Sequence, residues 1–214
     1  MYNFTFNIPT KIHFGKDTIS NLSELKAYGS KVLLVYGGGS IKKNGLYDTA
    51  MKILKDAGLT VFELSGVEPN PKIETVRKGV EICKNEGIDM VLAIGGGSTI
   101  DCSKVVAAGA KYDGDAWDLV LDGSKVKAAL PIFDVLTLSA TGTEMDPFAV
   151  ISDMSKNEKW GTGSPYMVPT MSILNPEYTF SVSKKQTAAG TADMMSHTME
   201  NYFSMENADC QKFM

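Results

Sequence analysis

Two apolar runs in this chain end in the same four residues. KVLLVYGGGS spans 31–40 and DMVLAIGGGS spans 89–98. An unbroken apolar run of this length predicts a strand buried on both faces, as in a parallel sheet. Parallel strands need a crossover, usually a helix, between them. The sequence supplies one each time. A helical pattern around 48–57 leads to a strand, LTVFEL (59–64), and then a second helix runs to about Glu86. After the second glycine turn comes a helix of small residues, Thr99–Gly109, then a loose stretch over 113–130 with a short helix at Trp117–Leu121. PIFDVLTLSATGTE (131–144) is a further strand running into a polar loop. This alternation predicts an α/β fold, a doubly wound Rossmann-like parallel sheet with right-handed crossovers.

The two ends depart from that rhythm. Near the N-terminus, Phe4, Phe6, Ile8, Ile12 and Phe14 alternate with polar residues, interrupted by Pro9. The pattern predicts two short strands or a hairpin, followed by a helical pattern over Thr18–Ala27. Residues 150–174 are turn-rich and predict a hairpin or small strand pair covering the sheet. From 183 to 204 the pattern reads as helix, break at Gly190, helix. This shift predicts a boundary near residue 180. The remaining residues, 181–214, are too few for a core of their own, so the expectation is a truncated second domain or helices that need a partner.

Composition narrows the classes of function. Of 214 residues, 43% are hydrophobic and 21% charged, enough to bury a core. A net charge of −4 gives no general attraction to nucleic acid or anionic membranes. Three cysteines, Cys83, Cys102 and Cys210, form neither a CxxC pair nor an even framework, which fits a reducing compartment. No stretch approaches the ~20 apolar residues of a membrane span, and the N-terminus lacks the continuous apolar core of a signal peptide. A cytoplasmic protein is expected.

Four features carry candidate chemistry. The glycine turns at 37–40 and 95–98 let the backbone approach a ligand closely, with amides aimed at a phosphate near a helix N-terminus. A tight strand-to-helix turn without a ligand would look the same singly; the repetition favours a nucleotide. Neither turn is a GxGxxG fingerprint or a GxxxxGK loop, which disfavours nucleotide hydrolysis. Ser98 or Thr99 is expected to cap the helix after the second turn, and Asp101 to orient loop amides or meet the ligand. The loop LTLSATGTE (136–144) places hydroxyls where open α/β sheets bind ligands, though caps and turns use the same residues. Asp193 and His197, four apart on a helix, share a face. They suit a divalent metal, although such a pair taken alone is more often a helix salt bridge or a core histidine.

In order and spacing, KIHFG (11–15), YGGGSIKKNGLYD (36–48), GVEPNP (66–71), IGGGSTIDCSK (94–104), LTLSATGTEMD (136–146) and the DxxxH segment resemble the iron-containing, group III alcohol dehydrogenases, and within them the NAD(P)H-dependent butanol dehydrogenases. The resemblance implies a dinucleotide-binding domain over 1–180 and the first helices of a helical metal-binding domain over 181–214. It implies that Gly96, Gly97 and Ser98 hold the cofactor pyrophosphate, with Asp101 supporting the loop. Thr137 and Thr141 would line the cleft, bordered by Asn70 and reached by Lys159. Asp193 and His197 would be two ligands of a divalent metal, iron or zinc. Gly38, Gly39 and Ser40, with Lys42 and Lys43 nearby, would accept a 2′-phosphate, so NADP(H) is expected over NAD(H). The implied activity is hydride transfer between that cofactor and a small alcohol or aldehyde such as butanol or butanal, in a homodimer paired through N-terminal strands. Two alternatives remain: a non-catalytic cofactor-binding or dimerising fragment, and a glycerol dehydrogenase-like or dehydroquinate synthase-like enzyme.

Overall fold

A computed structural model describes residues 3, 5 and 7–203. The chain divides into two units, one of residues 9–179 and one of residues 1–8 with 180–214.

The larger unit is built on six parallel strands: β1 (Lys11–Phe14), β2 (Lys31–Tyr36), β3 (Thr60–Leu64), β4 (Met90–Gly96), β5 (Ile132–Leu138) and β8 (Met171–Leu174). Their order across the sheet is β1-β8-β5-β4-β2-β3. Both glycine-ended runs are central strands and are buried along nearly their whole length. Alternate side chains feed two cores. Val32, Leu34, Leu92, Phe133 and Ile173 face α2 (Leu46–Asp56) and a 3-10 helix at Thr18–Tyr28. Leu33, Val35, Val91 and Ile132 face α3 (Ile73–Glu86), α4 (Gly97–Gly109) and α5 (Ala116–Leu121). A short helix, α1 (Ser40–Lys43), follows the first glycine turn.

Helix α4 is apolar on nearly every side, so it must be enclosed. Its small residues allow close packing. A Cβ on Gly109 would fall 2.6 Å from Val80, and one on Gly79 of α3 would fall 2.7 Å from Val106. The outer side of α4 and α5 is covered by an antiparallel hairpin, β6 (Phe148–Asp153) and β7 (Glu158–Gly163). Thr162 donates to the Leu119 carbonyl at 2.6 Å to fix it there.

Three expectations are redrawn. The second of the two strands expected near the N-terminus is β1, and it pairs in parallel with β8, Lys11 opposite Met171. Phe4 and Phe6 lie outside the described residues. The hairpin expected within 150–174 is β6–β7 at 148–163, and β8 beyond it joins the main sheet. Four-residue strands carry too little pattern to show which neighbour they pair with. Finally, α6 (Lys184–Phe203) in the smaller unit runs unbroken through Gly190. A glycine inside a helix costs only about 1 kcal/mol against alanine, and Ala188, Ala189 and Ala192 around it favour helix.

Candidate functional site

The chain leaves β2 for α2 on one face of the sheet and moves outward to β3. It leaves β4 for α4 on the other face and moves the opposite way to β5. The switch point falls between neighbouring strands β2 and β4, and ligands of open α/β sheets bind in the crevice at such a point. Both GGGS turns end the strands that flank it.

The second turn is shaped for a close approach. The N-cap of α4 is Gly96, and no side chain caps the helix. Ser98 and Thr99 are therefore not the caps expected from sequence. Helix residues begin at Gly97, and Ser98 instead accepts the Asn70 N–H at 3.3 Å. The positive end of α4 is left to whatever occupies the crevice. Gly96 and Gly97 are packed against β5 and its loop: a Cβ on Gly96 would lie 3.3 Å from Leu138, and one on Gly97 would lie 3.3 Å from Thr141 Oγ1. Pairing jumps from Gly95–Leu136 to Gly96–Leu138, so Thr137 is the extra residue of a bulge. Bulges re-aim side chains beside sites.

Asn70 takes a left-handed backbone, φ 55°. Its side-chain oxygen accepts Lys159 Nζ from β7 at 2.7 Å. Gly96, Gly97, Ser98, Asn70, Lys159 and Thr141 thus line one continuous rim. Gly38, Gly39 and Ser40 lie on the adjoining loop. Gly39 has φ 99°, and a Cβ on Gly38 or Gly39 would meet nothing within 4 Å. Lys42 beside them is engaged: its ammonium lies over the rings of Tyr47 and Tyr36 at 4.4 and 4.9 Å, and 3.9 Å from Glu63. Both tyrosine hydroxyls donate to Glu63, holding its carboxyl below the ordinary range.

Asp101 is tied to the segment that follows β5. One oxygen accepts the Thr143 hydroxyl at 2.6 Å and the other the Val150 N–H at 3.0 Å, while burial raises its pKa. Next to it lies a group the sequence reading passed over, Lys104, fully buried on α4. Its ammonium contacts Thr143 Oγ1, the Asp146 carbonyl, Asp146 Oδ1 and the Phe148 carbonyl, each at 2.8 Å. Burial lowers its pKa, and Asp146 opposes that. The available signal was a lone lysine in the run Cys102–Ala110, where every other side chain is small or apolar.

Under the same loop, Ser172 Oγ lies 2.6 Å from Asp134 Oδ2 and 2.7 Å from the Glu144 carbonyl. One hydroxyl hydrogen cannot serve both acceptors. A proton on Asp134 completes the chain: Asp134 donates to Ser172, which donates to Glu144. Burial indeed pushes the Asp134 carboxyl well above its usual range, and its Oδ1 has no partner. Because the folded-state pKa is raised, the stability this group contributes is full below the unfolded value, about 4, and is lost as pH climbs through the folded one. Asp134→Asn is expected to flatten that limb and to melt higher than wild type at pH 8, by about 2–4 °C for each 1 kcal/mol recovered. Thermal melts from pH 4 to 8 check this; parallel profiles for the two proteins would refute it.

On α6, His197 Nε2 and Asp193 Oδ1 are 3.8 Å apart, both exposed. They share a helix face as expected. Among the described residues no group of three or more His, Cys, Asp or Glu side chains converges on a metal-sized site, and a catalytic metal ordinarily takes three protein ligands. The pair fits part of a metal site, not a whole one. Cys83 and Cys102 are buried, and burial pushes both thiols up to about 12. Cys210 lies outside the described residues. No described helix is long and apolar enough to cross a membrane.

Fold and crevice define a Rossmann-like α/β domain with its ligand position at the switch point. A family model described as iron-containing alcohol dehydrogenase matches residues 9–176, and the chain belongs to that family. It is 62% identical over 205 residues to NADH-dependent butanol dehydrogenase A of Clostridium acetobutylicum, covering 95% of this chain and 53% of the relative. It is 40% identical over 205 residues to an NADPH-dependent aldehyde reductase of Escherichia coli, covering 94% of this chain and 52% of that one. The crystal structure of NADH-dependent butanol dehydrogenase A from Thermotoga maritima superposes with a TM-score of 0.93 at 48% identity, over 98% of this chain and 53% of that one. The chain spans about half the length of the curated relatives it matches.

Proposed function

We propose that residues 1–180 bind a nicotinamide dinucleotide, and that the chain contributes this half of a metal-dependent oxidoreductase acting on small alcohols and aldehydes such as butanol and butanal. The observation that carries the reading is the uncapped N-terminus of α4 at Gly96–Gly97, set at the switch point of the sheet. Amides there would hold the pyrophosphate. Asn70, Thr137, Thr141 and Lys159 would border the rest of the cofactor, and Asp101 would support the rim from behind. When bound, the cofactor supplies the hydride and the protein supplies orientation. Residues 181–214 are assigned to the start of a metal-binding helical domain, with Asp193 and His197 as two of its ligands. The edge position of β1 supports the expected homodimer.

On cofactor choice, two observations weigh toward NAD(H) and against the NADP(H) expected from sequence. Lys42 is occupied by Tyr36, Tyr47 and Glu63, which leaves less positive charge for a 2′-phosphate. Relatives at 54–62% identity are named NADH-dependent, whereas those named NADPH- or NADP-dependent are 32–40% identical. The full chain is expected to bind NADH more tightly than NADPH by about tenfold, the worth of one partnered charge lost to the phosphate. Titration of nicotinamide fluorescence measures both constants, and tighter NADPH binding reverses the assignment.

A second reading, a cofactor-binding module without catalysis, is favoured by the absence, among the described residues, of a group of three metal-binding side chains. Butanal-dependent oxidation of NADH by the chain supplied with Fe(II) or Zn(II) separates the two. Turnover removes the module reading. NADH binding without turnover removes the enzyme reading, and turnover with glycerol and NAD but not butanal moves the chain to the glycerol dehydrogenase-like alternative.

A further inference from the structure

We propose that Lys104 is a positioning residue for the dinucleotide cleft, fixing the wall that Thr141 and Lys159 present opposite the Gly96–Gly97 turn. The inference rests on the cofactor reading above.

Gly97, Asp101 and Lys104 follow one another at helical spacings of four and three, so they lie on one face of α4. A buried ammonium must be satisfied or it is costly. One carboxylate and a water would do that. Here four oxygens converge, all from the single segment 143–148. An ammonium has three hydrogens, so one is shared. Asp146 Oδ1 also accepts the Phe148 N–H at 2.8 Å, which holds that turn in shape. One turn back on the helix, Asp101 takes the Thr143 hydroxyl and the Val150 N–H. The segment is therefore stitched to α4 at residues 143, 146, 148 and 150.

That segment begins beside Thr141 and runs into β6. Ser152 of β6 pairs with Lys159 of β7, Lys159 reaches Asn70, and Asn70 returns to α4 at Ser98. The rim is a closed circuit that leaves α4 at Lys104 and Asp101 and rejoins it at the glycine turn. None of the Lys104 partners is in the six-stranded sheet. Removing the ammonium should therefore loosen the wall of the cleft ahead of the core beneath it.

The test is NADH affinity of the full chain, followed by nicotinamide fluorescence well below each variant's Tm. Lys104→Met is expected to raise Kd about tenfold, as a misplaced charge-assisted contact would. Asp146→Asn, at a half-buried position and less disruptive to folding, is expected to raise it about threefold by the same arithmetic, and it decides the matter should Lys104→Met not fold. Leu54→Ala opens a cavity in the core on the other face of the sheet and is expected to lower Tm while leaving Kd unchanged. Wild-type affinity in both network variants overturns the proposal with the cofactor reading intact. An equal loss in Leu54→Ala also overturns it, since general destabilisation would then account for the effect. Wild-type protein that binds no NADH removes the cofactor reading and this inference together.

Discussion

Gly95→Val is expected to weaken dinucleotide binding by at least about tenfold and to destabilise the fold by about 1–3 kcal/mol, the usual cost of overfilling a packed site. Gly95 is the last fully buried residue of β4. A Cβ there would lie 2.4 Å from Thr99 Oγ1 and 2.8 Å from Thr99 Cβ. Thr99 is itself buried, in the first turn of α4, and its Cβ is fixed to the helix backbone. The side chain cannot swing aside, so the helix start must move. The positive end of α4 would then shift relative to Asn70, Thr141 and the glycine turn, and a site of this kind tolerates about 0.5 Å. Titration with NADH and a calorimetric melt read both effects. Wild-type affinity in a folded variant would mean that the start of α4 does not hold the ligand.

The same pair of residues shows what a sequence discloses and what it hides. Two apolar runs ending in glycines, alternating with helical patterns, were enough to predict buried parallel strands, because helices on both sides of a parallel sheet bury both faces of such a run. They were also enough to suggest a ligand, because amides at a helix start need a partner. Which residue starts α4 was not legible. Ser98 and Thr99 are better caps than Gly96 by type, but Thr99 is drawn inward beneath Gly95 and Ser98 is taken by Asn70. Those contacts come from segments distant along the chain, and local preference carries no trace of them.

Lys104 illustrates the opposite failure. A lysine is expected at the surface, and its place in an apolar helix invites a reading as an exposed stripe. Only the return of residues 143–148 over α4 turns it into a buried tether. Asp101 stands out in the sequence by its place just after the glycine turn, yet its partners, Thr143 and Val150, are 42 and 49 residues away. The pairing of β1 with β8 is equally remote, Lys11 opposite Met171, between strands of four residues each. Such short strands carry too little sequence to name the partner they pair with.

Phe133→Ala should separate stability from binding, because it removes core far from the crevice. Phe133 is fully buried near the start of β5, with Leu92 and Met171 as its register partners. Its ring meets Tyr28 edge-on, centroids 4.9 Å apart at 71°. Truncation of a buried phenylalanine costs about 3–5 kcal/mol, and loss of the aromatic pair adds to the upper part of that range. For a chain of this size the expected fall in Tm is on the order of 10 °C. The C-terminal ends of β2 and β4 are at the other end of the sheet, and no member of the Asp101–Lys104 network or the Asn70–Lys159 rim touches the cavity side. At temperatures where the variant stays folded, its NADH affinity should therefore match wild type within about twofold, the scatter expected for independent sites. A large rise in Kd at such a temperature would mean that the α2 face of the sheet governs the crevice, and that the rim is not the self-contained unit its hydrogen bonds describe.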